Sequence, residues 1–404
     1  MIKISTGLSL EHDPLLAAEE AARLAKIELG AGKIDLAIVF SSADLAQESL
    51  LDALNECLEK APIIGCSGAA IISNHGIFKH GLVLMLLRLP QGLYFNASSV
   101  KNITAMTPLE AGRKLGEELL YGFRDIRRDL AIIFSDGLIN EGSNLIYGLQ
   151  EKLGKSFPLV GASASDNLRF LKTYLYFNQA AFNDGAVGML WGGKLNFGLG
   201  IKHGWKPLGK PRAITKSQGS TVYEIDNQPA SKIYEEYLAK SRSVLQKEIR
   251  RLSIFYPIGI YLAEEKEYLL RNVLSLENDG SLRLQGNVSQ GSTVRLMIGT
   301  KESCLEATQQ AIAEAKKLSE AGSTYNTAKD KARNFVLVFN SVSRYTLLKR
   351  DAIKELEAIK GGFDNGTPII GVYTYGEQAP LKAISYQGQA YFHNQTVAIL
   401  NIGG

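Results

Sequence analysis

Three stretches of the chain share one pattern of hydrophobic and polar positions. Each is a nearly continuous apolar run that ends in small polar residues, at 35–42, 129–136 and 334–341. A strand covered on both faces has this pattern, because neither of its sides meets water. A predicted helix and a second apolar run follow each of them, and the second runs lie at 62–67, 158–163 and 368–373. The pattern therefore predicts a strand–helix–strand unit that occurs three times.

A later stretch is also repeated. Apolar residues alternate with polar or small ones after Phe78, Phe182 and Phe392, which is typical of a half-buried strand. Asp13-Pro14 and Thr107-Pro108 mark the starts of helices that precede two of the units. We expect residues 35–85, 129–189 and 334–399 to share strand order and direction.

Residues 195–290 are less regular. Pro257-Ile258-Gly259 resembles the start of the repeated second strand, so we suspect a degenerate fourth unit there. The predicted fold is α/β, with α+β as the alternative, in two halves built by duplication with mainly mixed sheets. The predicted domains are 1–205, with two units, and 206–404, with the degenerate unit and a clear one.

Composition narrows the class of protein. The 404 residues are 45% hydrophobic and 21% charged, which is typical of globular domains, and a net charge of +4 is a weak argument for nucleic acid. No apolar run approaches the ~20 residues of a membrane span, and the N-terminus lacks the features of a secretory signal. We expect a cytoplasmic protein that binds no nucleic acid and does not insert into membranes. Its three cysteines should be free, with Cys57 and Cys304 buried on helices.

Motifs for cofactors and catalysis are weak. Residues 204–210 have the spacing of a phosphate-binding loop, but Pro211 stands where Ser or Thr is required. The five histidines show no metal-type spacing with the cysteines. We therefore predict no cofactor, no metal and no catalytic residue, and an enzyme is the less expected class.

The third unit differs from the other two where its strands end. It alone carries Arg344 and Glu377, together with Tyr373 and Tyr375. Ligands of α/β sheets bind at the carboxyl ends of strands, and an arginine there can clamp a carboxylate while a glutamate holds an ammonium group. We expect Arg344 and Glu377 to line one concavity with a tyrosine wall. The alternative is a structural Arg–Glu ion pair with ordinary tyrosine packing.

Several stretches carry a family resemblance. Residues 35–40 and 62–67, and further on 222–230, 339–344, 371–377 and 393–396, are similar to the N-terminal and C-terminal domains of the FIST family of sensory proteins. The resemblance implies a ligand-sensing module of signal transduction that binds small molecules such as amino acids and acts through a separate signalling protein. Ser341 stands where the family often has cysteine, which argues against a thiol role there.

These observations together predict a function and a site. We expect a small-ligand sensory module whose ligand, an amino acid or small carboxylate, binds at strand carboxyl ends in the C-terminal half. A protein-interaction scaffold is one alternative, and an enzyme that uses Cys66, or Glu377 with His393, is another. The predicted ligand-binding residues are Asn340, Ser341, Arg344, Tyr373, Tyr375, Glu377, His393, Asn394, Cys66 and Ser67.

Overall fold

A computed structural model describes residues 1–139, 141–264, 267–323, 334–381 and 388–403. Its strands are β1 (Lys3–Ser9), β2 (Leu36–Ser42), β3 (Ile63–Gly68), β4 (Ile71–Ser73), β5 (Gly76–Phe78), β6 (Leu82–Arg88), β7 (Tyr94–Lys101), β8 (Arg128–Ser135), β9 (Leu159–Ser163), β10 (Leu175–Phe177), β11 (Ala180–Phe182), β12 (Gly185–Gly192), β13 (Asn196–Lys202), β14 (Lys206–Gln218), β15 (Thr221–Ile225), β16 (Gln228–Pro229), β17 (Ile258–Leu262), β18 (Glu267–Arg271), β19 (Val273–Leu276), β20 (Leu282–Leu284), β21 (Thr293–Ile298), β22 (Phe335–Ser341), β23 (Ile369–Thr374), β24 (Gly376–Pro380), β25 (Ala390–His393) and β26 (Val397–Gly403). Its α-helices are α1 (Pro14–Leu29), α2 (Gln47–Cys57), α3 (Pro108–Leu120), α4 (Gly142–Leu153), α5 (Lys232–Leu238), α6 (Arg242–Phe255), α7 (Lys301–Ser323), α8 (Val342–Leu348) and α9 (Ala352–Gly362).

Three sheets share one arrangement of strands. Four strands of unit 1 run in the order β1-β6-β2-β3, those of unit 2 in the order β7-β12-β8-β9, and those of unit 3 in the order β13-β26-β22-β23. The last two strands of each set are parallel, and the other pairs are antiparallel. The prediction that the three repeated stretches share strand order and direction is confirmed, and so is the α/β class with mixed sheets.

The repeated glycine of the second apolar run has a structural reason. A Cβ atom at Gly65 would lie 1.8 Å from the carbonyl oxygen of Val39, and one at Gly161 would lie 1.8 Å from that of Ile133. Any larger residue would force the two parallel strands apart. The glycine is therefore required by the close approach of the parallel strands, which the units share.

Each of these sheets is completed by a hairpin from another unit. The β10–β11 hairpin of unit 2 pairs with β3 of unit 1, and the β24–β25 hairpin of unit 3 pairs with β9 of unit 2. The β4–β5 hairpin of unit 1 pairs with β23 of unit 3. The exchange closes a ring, so every unit both gives and receives a hairpin.

The inner faces of the three sheets meet in one core. Phe40, Phe134 and Phe339 occupy the same place in the three units, and their rings meet edge to face with centroids 5.6, 6.2 and 5.7 Å apart. All three side chains are fully buried, and edge-to-face contact is the favoured geometry of aromatic pairs. This triad therefore joins the three units through equivalent positions of their sheets.

The region between β13 and α7 has a different architecture. Strands β14–β21 form one eight-stranded sheet, and the pairs described in it are antiparallel. We call this the inserted sheet. The interpretation of residues 195–290 as a degenerate fourth unit is therefore wrong. Each of the three units contains a pair of parallel strands that is covered on both faces, whereas the strand pairs of the inserted sheet are antiparallel and β14 is largely exposed. The domain division at residue 205 remains a prediction.

Two further expectations can be compared with the described residues. All three cysteines are free, and Cys304 is buried on α7, but Cys57 is only half buried at the end of α2. Within the described ranges, no helix has the length and apolar character needed to cross a membrane. The cytoplasmic location remains a prediction.

Candidate functional site

Arg344 lies in a buried polar cluster rather than in an open pocket. Helix α8 begins directly after β22, and the hydroxyl of Ser341 caps it by accepting a hydrogen bond from the Ser343 N–H at 3.4 Å. Arg344 therefore falls in the first turn of α8, where it is fully buried. Its guanidinium pairs with the Glu355 carboxylate at 2.5 Å and donates a hydrogen bond to the Thr308 hydroxyl at 2.8 Å.

Two more predicted residues belong to this Arg344 cluster. The Asn340 side chain donates to Glu355 Oε2 at 2.7 Å, and the Tyr373 hydroxyl lies 3.5 Å from the same oxygen. The carboxylate partner of Arg344 is thus Glu355, on α9, and not Glu377. The expectation that Arg344 and Glu377 line one concavity is wrong, because both side chains are completely buried.

Glu377 lies apart, with its own partners. Its Oε1 accepts a hydrogen bond from the Thr374 hydroxyl at 2.9 Å, and its Oε2 accepts one from the Thr396 N–H at 3.2 Å. Burial raises the pKa of the Glu377 carboxyl well above its usual range. Glu377 is completely buried and both of its carboxyl oxygens accept hydrogen bonds within the protein, so it is not available to hold the ammonium group of a ligand.

The remaining strand-end candidates also have structural contacts. Cys66 is buried in the core, where desolvation raises its thiol pKa, so it does not have the character of a nucleophile. Ser67 donates to the Ser165 carbonyl at 2.9 Å, and Asn394 accepts from the Asn272 N–H at 3.2 Å. Tyr375 stacks on Phe170, and its hydroxyl donates to Asp166.

An open cleft lies beside the Arg344 cluster. It has a volume of about 250 Å³ and lies at the carboxyl end of β13, between the start of α7 and the turn that joins β25 to β26. We call it the β13 cleft. Of the predicted site residues, His393 lines it. The lining residues are Ile201, Lys202, His203, Gly204, Trp205, Lys206, Glu267, Tyr268, Ser303, Glu306, Ala307, Gln310, Leu381, His393 and Thr396.

Two histidines of the β13 cleft have fixed tautomers. Nδ1 of His203 accepts the Trp205 N–H at 2.9 Å, which leaves Nε2 as the N–H donor of a neutral ring. Nε2 of His393 donates to the Ala379 carbonyl at 2.9 Å, which leaves Nδ1 as an acceptor. Burial lowers the pKa of His203 to about 3 and that of His393 to about 4. At neutral pH both rings are therefore uncharged.

The Arg344 cluster supports the wall of the cleft from behind. The Arg344 guanidinium donates to the carbonyl of His203 at 2.6 Å, and the Trp205 indole N–H donates to the Phe255 carbonyl at 3.2 Å. These contacts hold the chain segment that carries His203 and Trp205. Arg344 is thus a positioning residue for the cleft.

Charges of both signs surround the mouth of the cleft. Lys206 and Glu306 are exposed, Glu267 is partly exposed, and among the described residues none of the three has an ion-pair partner. The rim residue Lys202 is instead paired with Glu314 at 2.7 Å. Rim charges of opposite sign that have no ion-pair partner can bind a ligand that carries both a positive and a negative charge.

The sequence reasoning missed His203, Trp205 and Lys206. Trp205 and Lys206 lie within the 204–210 stretch, which was considered only as a phosphate-binding loop, and His203 directly precedes it. A signal was available, because β13 is the first strand of unit 3 and His203 directly follows it. The position directly after the first strand is Leu10 in unit 1, Asn102 in unit 2 and His203 in unit 3, so the histidine at this position is a difference visible in the sequence.

The chain belongs to the FIST family. A FIST N domain matches residues 35–228, and a FIST C domain matches residues 230–380. FIST domains are small-ligand sensory domains of signal transduction. The β13 cleft draws residues from both matched regions and from the stretch that follows them.

Two relatives of this chain have the description uncharacterized protein. One from Methanocaldococcus jannaschii is 24% identical over 292 residues, which are 67% of this chain and 56% of that protein. One from Mycobacterium tuberculosis is 24% identical over 305 residues, 74% of this chain and 76% of the relative. This chain thus spans little more than half of the archaeal relative.

A solved structure of the cyanuric acid hydrolase from A. caulinodans has a TM-score of 0.39 and 10% identity, with 99% of both chains covered. A likeness this distant carries no conclusion about the present chain.

Proposed function

We propose that this chain is a sensory module that binds a small ligand in the β13 cleft. The observation that carries the proposal is that one cleft contains both two neutral histidines of fixed tautomer and, at its rim, charged residues of both signs without ion-pair partners among the described residues. A small number of polar groups that converge beside an aromatic wall is typical of small-molecule sites. Trp205 and Tyr268 supply that wall.

The ligand class that fits best is an amino acid or a small carboxylate. A volume of about 250 Å³ lies below the ~300–1,000 Å³ of pockets that hold drug-sized molecules. Lys206 can bind the carboxylate, and Glu306 and Glu267 can bind the ammonium group. His203 Nε2 and His393 Nδ1 remain for a polar side chain of the ligand.

The output of such a sensor runs through a separate signalling protein. This part of the proposal rests on the sensory character of the family. The concave polar cleft favours a ligand-binding module over a scaffold. Burial raises the pKa of the Cys66 thiol, which makes Cys66 a poor nucleophile and weakens the enzyme alternative.

Titration calorimetry with a panel of amino acids and small carboxylates tests the proposal. The variant Lys206→Gln should weaken the best ligand by at least ~10-fold, since a hydrogen bond to a charged group is worth ~1.5–3 kcal/mol. Glu306→Gln should weaken amino acids by a similar factor and leave simple carboxylates unchanged.

The matched controls are Lys210→Gln on the same strand and Glu302→Gln on the same helix, both exposed and outside the cleft. They should bind as the wild type does. If the rim variants behave like these controls, the ligand does not bind in the β13 cleft. If no member of the panel binds, the ligand class is wrong.

A further inference from the structure

The three units differ in the segment that leads to the exchanged hairpin. It is residues 69–70 in unit 1 and Tyr375 alone in unit 3, but residues 164–174 in unit 2. We call the last segment the long crossover. Units 1 and 3 form the same fold with one or two residues at this place, so the fold does not require the additional residues of unit 2. They need a separate explanation.

The long crossover has a defined shape. The Asp166 carboxylate accepts hydrogen bonds from the backbone N–H groups of Arg169, Phe170, Leu171 and Lys172 at 2.8–3.2 Å. Leu168 and Phe170 have φ angles of 59° and 54°, in the left-handed region that ordinary residues avoid. Strained backbone persists where surrounding contacts hold it, and it is frequent at ligand sites.

A cavity of about 170 Å³ lies under the long crossover, at the carboxyl ends of β2 and β3. We call it the crossover cavity. This edge is the usual ligand position of a parallel strand pair, and the cavity is separate from the β13 cleft. Its lining residues are Ser42, Ala43, Asp44, Gly68, Lys79, Asp166, Asn167, Arg169, Leu171, Lys172 and Tyr174.

Three cationic and two acidic side chains line the crossover cavity, which gives it a formal net charge of +1. Lys79, Arg169 and Lys172 are exposed, and no carboxylate partner is found for them among the described residues. The two acidic lining residues are occupied elsewhere: Asp44 binds the His80 ring at 2.8 Å, and Asp166 holds the crossover backbone. The three exposed cations outnumber these two carboxylates, and an excess of positive charge around a small concavity attracts anions.

We propose that the crossover cavity binds a small oxyanion with two negative charges, of the phosphate class. Arginine presents a planar fork of donors that matches phosphate oxygens, and lysines add point charges from either side. The small volume favours inorganic phosphate or the phosphate end of a small monoester. Bound there, the anion bridges unit 1, through Lys79, and the long crossover, through Arg169 and Lys172.

The long crossover also contacts unit 3 and helix α6. Phe170 stacks on Tyr375 with ring centroids 4.5 Å apart, and the Arg250 guanidinium of α6 lies 5.0 Å from the Phe170 ring. An anion that orders the long crossover therefore also restrains its contact with α6. The site would thus couple anion binding to the region that carries one side of the β13 cleft.

The test is titration calorimetry with inorganic phosphate and with glycerol phosphate, against sodium chloride at equal ionic strength. Arg169→Gln and Lys79→Gln should each weaken phosphate binding by at least ~10-fold. Arg124→Gln, an exposed arginine outside the cavity, and Lys206→Gln in the β13 cleft should leave it unchanged. Binding of the monoester as tightly as phosphate would identify a phosphorylated ligand, and binding of phosphate alone would identify the free ion.

Hydrogen exchange gives a second measurement. Phosphate should slow amide exchange in residues 166–174 of the wild type and of Arg124→Gln, but not of Arg169→Gln. The proposal is overturned if Arg169→Gln binds phosphate like Arg124→Gln, or if no divalent oxyanion binds more tightly than chloride. Because the substituted side chains are exposed, the variants should keep the wild-type melting temperature within about 1–2 °C.

Discussion

Two polar regions of unit 3 lie side by side and have opposite characters. The Arg344 cluster is closed: arginine, glutamate, threonine and asparagine bind one another away from water. The β13 cleft is open, and each of its two histidines has one ring nitrogen committed to the backbone. Polar residues at a strand end therefore indicate a site only when the structure leaves part of their bonding capacity unused.

The largest expected effect is on the closed region. Glu355→Ala leaves the Arg344 charge buried without a counterion, which should lower the free energy of unfolding by about 3–5 kcal/mol. Urea denaturation measures this loss. The control is Glu357→Ala, on the same helix but exposed, where the loss should be below about 0.5 kcal/mol. Equal losses in the two variants would show that the Arg344 cluster is not a structural unit.

In the open region, the burial of His393 should make the free energy of unfolding depend on pH. The pKa of His393 is lowered to about 4 in the folded protein, against ~6.5 in an unfolded chain. Between these values the unfolded chain binds a proton that the folded protein does not, so stability falls as the pH falls. His393→Gln should lose about 2 kcal/mol less than wild type between pH 6.5 and 4.5.

Denaturant unfolding at the two pH values measures this difference. The exposed residue His75 provides the control, since His75→Gln should keep the wild-type slope. If the unfolding free energy of His393→Gln changed with pH as much as that of the wild type, the His393 ring would not be buried in its neutral form.

The smallest effect is expected at the rim. Lys202 and Glu314 are paired at 2.7 Å, but both side chains are partly exposed, so Lys202→Gln should cost at most about 1 kcal/mol. Thermal unfolding in low salt should show this difference, and 1 M salt should remove most of it. A larger loss that persists in salt would place this ion pair with the closed region instead.

Much of the fold could be predicted from the sequence, because the parallel strands are short apolar runs with a glycine at a fixed place. Gly65 and Gly161 stand where neighbouring strands approach too closely for any side chain, so the glycines themselves indicate that approach in the sequence. The exchanged hairpins could not be predicted, since β4 has only three residues and pairs with β23, about 300 positions later in the chain. Pairing at that distance leaves no local trace in the sequence.

The candidate site was predicted less well, for a physical reason. A charged residue just after a strand looks available when only its neighbours in sequence are considered. Arg344 is occupied because α9 brings Glu355 to it from eleven residues away, across a turn between two helices. His393 was found because it ends a repeated strand, whereas His203 was overlooked because β13 was assigned to an irregular region.

The ring of exchanged hairpins has a consequence for how such a chain can arise and be divided. A single unit on its own would leave the outer edge of its second parallel strand unpaired, and its hairpin would have no sheet to join. Three separate copies could satisfy one another by the same exchange, as in a domain-swapped homotrimer. The architecture is thus that of a cyclic trimer joined into one polypeptide, in which fusion has freed each copy to diverge. One copy has gained a long crossover and another an inserted sheet, which a symmetric trimer would have to carry three times.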